Sequence, residues 1–244
     1  MIIEQWFKEL CALPDPVWAE HERRLDPLGR LVTRERYLEL FQGSVECGRR
    51  EALALGAARE GAGLDDLARE LGAKVTDKPY ARDAGRPTFA CFFEPDQIEL
   101  YSDNITETQA LLDDGGLSSV IGELSVRDVL LAHELFHVVA QRSRERGETL
   151  FCNEKHVELP SINKLFGRRS TLPTLEEGAA MAFARELSGC PCNPFVLNVL
   201  MLLPADPDRA SNLHREIMDI ARELGATGAG PDGDDVTQQG GLDS

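Results

Sequence analysis

The chain of 244 residues carries 42 acidic against 26 basic side chains, a formal net charge of −16, and 42% of its residues are hydrophobic. That length and apolar fraction suffice for a buried core, while the acidity argues against a nucleic-acid backbone or an anionic lipid surface as partner. No stretch approaches about 18 uninterrupted apolar residues, and the opening MIIEQWFKEL has no basic segment ahead of a long apolar run, so a cytoplasmic protein without signal peptide is expected.

Residues 1–72 read as an N-terminal helical region. Ile3, Trp6, Phe7 and Leu10 fall at helical spacing, and Thr33 offers a cap to a run through Tyr37, Leu38, Phe41 and Val45. A shorter helix from Leu64 stops at Gly72, whose missing side chain suits a left-handed turn. Ten Lys/Arg against fourteen Asp/Glu in residues 1–72 give 10 − 14 = −4, which speaks against a DNA-reading module.

From residue 73 the character changes, and a second domain is expected over 73–223. Thr88–Phe93 and Ile98–Tyr101, joined through Glu94-Pro95-Asp96-Gln97, predict a hairpin. A helix is expected from about Thr106 to Leu112. A longer one follows from Ser125, where Val126, Val129, Leu130, Leu131, Leu135, Phe136, Val138 and Val139 leave it apolar nearly all round. Ser125 with Asp128 three residues on is a variant of the capping pattern. A polar linker, residues 141–171, leads to a second buried helix over Thr174–Leu187, and further helices are expected near Phe195–Leu203 and Arg209–Leu224. Residues 224–244 read as a flexible Gly/Asp-rich tail.

Six cysteines scattered through such a chain favour reduced, buried thiols. Cys190-Pro191-Cys192 has CxC spacing with no second pair nearby, so it reads as structural rather than metal-binding.

The chemistry lies in His133-Glu134-Leu135-Phe136-His137, an HExxH sequence in the middle of the long apolar helix. Four residues are just over one turn, so both imidazoles leave the same face and can share one metal ion. Glu134 lies about 100° round from His133, placed to hold a water as general base without being a ligand. Chance gives such a pentad in roughly one chain per hundred of this composition, and an ionisable triplet in an apolar helix is costly unless paired or metal-bound. A metal site is therefore expected.

A catalytic zinc takes three protein ligands and leaves one position open. The extended HExxHxxGxxH form is excluded by Ala140 and Ser143. The best source of the third ligand is the second buried helix. Glu177 shares a face with Ala180, Met181 and Ala184, and Glu176 shares one with Ala179 and Phe183, so pattern alone leaves both open. His156, His214 and Tyr101 are candidates for stabilising a tetrahedral oxyanion. His21 has no evident role.

With these residues in view the chain resembles the ImmA/IrrE family of HExxH metallopeptidases, a gluzincin-like group, over roughly residues 64–190. The likeness consists of Leu71-Gly72 with Val75, the hairpin, Arg127 ahead of Ala132-His133-Glu134-Leu135-Phe136-His137, and Glu177-Gly178-Ala179-Ala180-Met181-Ala182-Phe183-Ala184. Phe136 stands where the family usually has Gly. The resemblance implies Glu177 as the third ligand, Zn2+ as the metal, and a protein substrate, often a transcriptional regulator. The expected protein is thus an α+β zincin-like metallopeptidase, mostly helical, with a hairpin bordering the active-site helix. The alternative is a non-catalytic metal-binding sensor or protein-interaction module on the same scaffold.

Overall fold

In a computed structural model the described residues are 2–56, 63–79, 82–83, 86–114, 117–159 and 168–226. The expected tail lies outside them from residue 227 on, as does part of the 141–171 linker. The helices are α1 (Ile2–Cys11), α2 (Asp15–Leu25), α3 (Arg34–Gly56), α4 (Leu64–Glu70), α5 (Ser102–Asp114), α6 (Ser118–Ile121), α7 (Val126–Glu145), α8 (Pro173–Ser188), α9 (Leu197–Leu202) and α10 (Pro207–Glu223). The strands are β1 (Lys74–Lys78), β2 (Arg82–Asp83), β3 (Arg86–Pro87), β4 (Ala90–Phe93), β5 (Gln97–Tyr101), β6 (Val157–Glu158) and β7 (Arg169–Ser170). The chain is α+β and mostly helical, and none of the described helices is long and apolar enough to cross a membrane.

The expected hairpin forms, with β4 and β5 antiparallel and Phe92 opposite Ile98. A third strand completes the sheet: β1 runs parallel to β5, Val75 opposite Ile98, in the order β1-β5-β4. Its sequence, Lys-Val-Thr-Asp-Lys, has one apolar residue in five, and three of its residues are exposed. It therefore lacks the alternation by which a half-buried strand is recognised. Helix α5 likewise starts four residues earlier than expected, because the polar Asn104 is buried and donates from Nδ2 to the Thr88 carbonyl at 2.6 Å.

Helix α7 begins as its capping pattern predicts, Ser125 Oγ accepting from the Asp128 N–H at 3.2 Å. Arg127 forks onto Asp65, both nitrogen–oxygen distances being 3.0 Å, and so ties α7 to α4. Helix α4 ends at Gly72, whose φ of +74° is the left-handed turn that glycine adopts without strain.

The buried side chains form one core that runs across residue 72. Trp18 and Phe41 from the N-terminal helices stack near Phe195, at 5.9 and 6.4 Å between ring centroids. Phe136 of α7 fills the space against Phe183 of α8, at 5.6 Å. Helix α8 packs between α3 and α7. Its N terminus starts with Pro173, which has no N–H to leave unpaired, and the next N–H is met by Asp26, whose Oδ2 also accepts from Thr174 Oγ1 at 2.7 Å.

The approach of α3 to α8 is closest at Gly48, where a Cβ would lie 2.0 Å from the Ala179 carbonyl oxygen. Replacing glycine by alanine favours an isolated helix by about 1 kcal/mol, but here the obstacle is backbone and cannot rotate away. Gly48→Ala is expected to destabilise the fold by about 1–3 kcal/mol net, read as a lower urea midpoint at unchanged slope. A midpoint at or above that of the unaltered chain would show that α3 and α8 are not in close register.

Candidate metal centre

His133 and His137, one turn apart on α7, turn their Nε2 atoms toward each other at 3.3 Å. Glu177 reaches across from α8 with Oε2 3.3 Å from His133 Nε2 and Oε1 3.8 Å from His137 Nε2. One donor atom from each of the three lies within 4.8 Å of the others, and this is the one such group able to hold a metal ion among the described residues. Two nitrogens each about 2.0–2.1 Å from a tetrahedral metal are about 3.3–3.4 Å apart. The donor atoms therefore already stand near the edges of such a tetrahedron.

The choice between the two adjacent glutamates is resolved by their different targets. Glu176 does not face the shared point: its Oε1 lies 2.8 Å from His137 Nδ1, on the far side of the ring. Its Oε2 accepts from Asn153 Nδ2, with Arg144 Nη1 at 3.8 Å. A proton on Nδ1 donated to Glu176 would leave the Nε2 lone pair for a metal, so Glu176 can set the tautomer and angle of a ligand while Glu177 can supply one. His133 Nδ1 is buried without a hydrogen-bonding partner. Glu134 is 8% exposed and lies beside the triad, its carboxylate outside the donor group.

Electrostatics follow from this crowding. Burial opposes a charge on His137, yet the hydrogen bond to Glu176 and the charges of Glu177 and Glu134 outweigh it and raise its pKa from 6.5 to about 9. Burial likewise pushes the Glu177 carboxyl up, but the His133 hydrogen bond and the charges of His133 and His137 win and hold it at about 2. Without a metal, the raised His137 and lowered Glu177 favour an imidazolium–carboxylate pairing at this point.

The triad sits where two clefts meet. One, of about 480 Å³, is walled largely by apolar side chains from α2, α7 and α9. The other, of about 780 Å³, contains Arg144, Glu94 and Glu176. Both are lined by Ala90, His133, Glu134 and Glu177, and the chain borders the two in succession, the segment Pro87 to Ala90 leading into β4 along the first and β4 itself with Glu94 along the second.

The three oxyanion candidates are not brought here. The Tyr101 hydroxyl donates to Glu99 at 3.0 Å, His156 Nε2 faces the Phe151 carbonyl at 2.8 Å, and His214 stacks on Trp6 with Nε2 3.2 Å from Glu9. None of them lines either cleft. Cys190 and Cys192 are buried, unbridged thiols. Cys192 is pushed up to about 12, chiefly by its contact with Cys11, and this keeps it protonated. Three cleft or support residues went unnoticed in the sequence: Glu22, Asn198 and Asn153. Glu22 stands in the charged string His21-Glu22-Arg23-Arg24, which resembles a solvated helix face, and the two asparagines belong to no motif.

Comparison with known proteins adds nothing to this geometry: no family model, no curated protein and no solved structure matches the chain.

Two outcomes test the site. Glu177→Gln should abolish tight metal binding, whereas Glu176→Gln should weaken it by about 10- to 100-fold, both measured by competition with a chromophoric chelator. Equal effects would mean that the two glutamates do not have separate roles. The second outcome concerns protons. Because the folded pKa of His137 lies above its free value, its protonated form stabilises the metal-free fold fully below about 6.5, and this contribution is lost as pH rises through about 9. Metal needs the neutral ring, so uptake near neutral pH should release about one proton from His137 and tighten with rising pH up to about 9. Calorimetry in buffers of different ionisation heat reads that proton, and its absence would refute the paired cluster.

Proposed function

We propose that the chain is a zinc-dependent peptidase with a zincin-like catalytic domain, of the ImmA/IrrE-like type. The observation that carries this reading is the placement of Glu134, a carboxylate that binds no metal donor, on the wall of both clefts directly beside a three-atom donor set with tetrahedral spacing. Two imidazoles and one carboxylate are the donor chemistry of a catalytic zinc, which takes three protein ligands and leaves a position free. A zinc held there would act as a Lewis acid on a scissile carbonyl and acidify water.

The protein's own groups have the following tasks. Glu134 accepts a proton from the attacking water and returns it to the departing amine nitrogen, which restores the carboxylate at the end of each turnover. Glu176 holds the His137 ring against rotation as charge develops. Strand β4 is the outer strand of its sheet, paired among the described residues only with β5, so its outer N–H and C=O groups can align an extended peptide beside the triad. The acidity of the chain favours a neutral or basic protein as substrate, a transcriptional regulator among them, and disfavours nucleic acid.

Glu134→Gln is isosteric and removes the base alone. It should keep one zinc per chain by elemental analysis and lower kcat by about 10²- to 10⁴-fold on a cleaved peptide. If zinc-loaded, unaltered protein cleaves nothing in a broad peptide library, the peptidase reading gives way to a metal-binding sensor on the same scaffold.

A further inference from the structure

The two clefts differ in charge, and one side chain outside the motif makes the difference. Glu22, on α2, lines the smaller cleft while only 4% exposed. Around it the wall is apolar, with Leu25, Phe89, Leu130, Met181, Phe195 and Met201. The other carboxylates there, Glu134 and Glu177, belong to the candidate metal centre, and among the described residues no Lys or Arg lines this cleft. In the other cleft Arg144 faces Glu94 and Glu176, at 3.0 and 3.8 Å, so the acids there already have a cation.

Glu22 is only half satisfied. Its Oε1 lies 3.1 Å from His21 Nδ1, while Oε2 has no hydrogen-bonding partner among the described residues. His21 is itself buried, with Nε2 unpartnered. Burial pushes the Glu22 carboxyl above the usual carboxylate range, and although His21 works against this, the charge of Glu177 adds to it. A carboxyl buried in apolar surroundings with a free oxygen facing a cavity is stabilised most by a cation entering that cavity.

We propose that the smaller cleft is the subsite for a lysine or arginine side chain of the substrate, its aliphatic stem on the apolar wall and its ammonium or guanidinium on Glu22. The assignment rests on the peptidase reading above. A volume of about 480 Å³ falls in the range of specific ligand sites. An aliphatic side chain would fill the walls but cover the free Glu22 oxygen with hydrocarbon. An acidic one would meet the carboxylates of Glu22, Glu134 and Glu177 with no Lys or Arg among the described lining residues to offset them. A basic one satisfies both the walls and the charge.

The test uses zinc-loaded Glu134→Gln protein and three peptides blocked at both ends, identical except that one position is lysine, Nε-acetyl-lysine or norleucine. The lysine peptide should bind at least about tenfold more tightly than the other two, and Glu22→Gln in the same background should reduce that preference to within about threefold. Equal binding of the three peptides, no binding at all, or a preference undiminished by Glu22→Gln overturns the assignment. Should Glu22→Gln not fold, the acetylation comparison on the Glu22 protein decides alone. The two readings fail separately. Preferential binding without cleavage by unaltered protein removes the peptidase but leaves the subsite, and cleavage without preference does the reverse.

Discussion

Holding two imidazole nitrogens 3.3 Å apart with a carboxylate oxygen 3.3 Å from one of them is the interaction that the rest of the fold serves. Left unpaired, ionisable groups bordering an apolar interior cost several kcal/mol, and the turns of α7 around the two histidines are apolar, with Leu131, Ala132, Leu135, Phe136 and Val138 all buried. The cluster is tolerable because each charge has a partner on a different element. His133 and His137 come from α7, Glu177 and Glu176 from α8, and Asn153 from the short 3-10 turn Phe151–Asn153. A displacement of α8 by one residue would place Gly178 or the wrong glutamate at the shared point, so the axial position of that helix matters more than its composition.

The N-terminal helices secure that position. Asp26, just after α2, caps the first turn of α8, the Tyr37 hydroxyl from α3 meets Thr174 in the same turn, and Gly48 admits the Ala179 carbonyl one turn further on. Helix α2 is fixed in its turn by Glu20, which is 2% exposed and gathers Arg23, Arg24 and Arg34. Burial alone would raise the Glu20 carboxyl, but the hydrogen bonds from Arg23 and Arg24 bring it down to about 2. Arg24 extends the network to Glu223 at the end of α10. A region that resembles nothing in the motif is thus part of the metal site's geometry, through the helix that delivers Glu177.

The sequence made legible what depends on local spacing. The HExxH pair, the start of α7 and both ends of α8 follow from helical periodicity and capping to within one residue, whereas α7 continues to Glu145, into the stretch that reads as a polar linker. The hairpin followed from its apolar runs and intervening turn. What remained illegible depends on partners distant in the chain. Strand β1 reads as a polar segment because its pairing with β5 supplies the order that its single apolar residue cannot. Glu176 and Glu177 are equivalent on a helical wheel to within one step of about 100°, and only the position of the His137 ring separates ligand from support. The oxyanion candidates were chosen by residue type, which says nothing of direction: Tyr101 shares the face of β5 occupied by Glu99, two residues away, and turns toward it.

On the proposed reading, catalysis and selectivity therefore reside on separate parts of the chain. The triad and its base lie on two helices whose mutual position is over-determined by caps, close backbone contact and aromatic packing, the conditions under which donor atoms keep their spacing without a ligand. The walls of the clefts come from α2, β4 and the segment around Phe195 to Met201, and these touch the triad without building it. Glu22 and Glu20 show how closely the two functions interlock. Two residues apart on a helix, they project about 200° from each other, so the buried arginine-bound Glu20 anchors α2 to the body of the protein while Glu22 is carried to the opposite side and into the cleft. The electrostatic anchor that orients the helix thereby also fixes where Glu22 stands in the cleft.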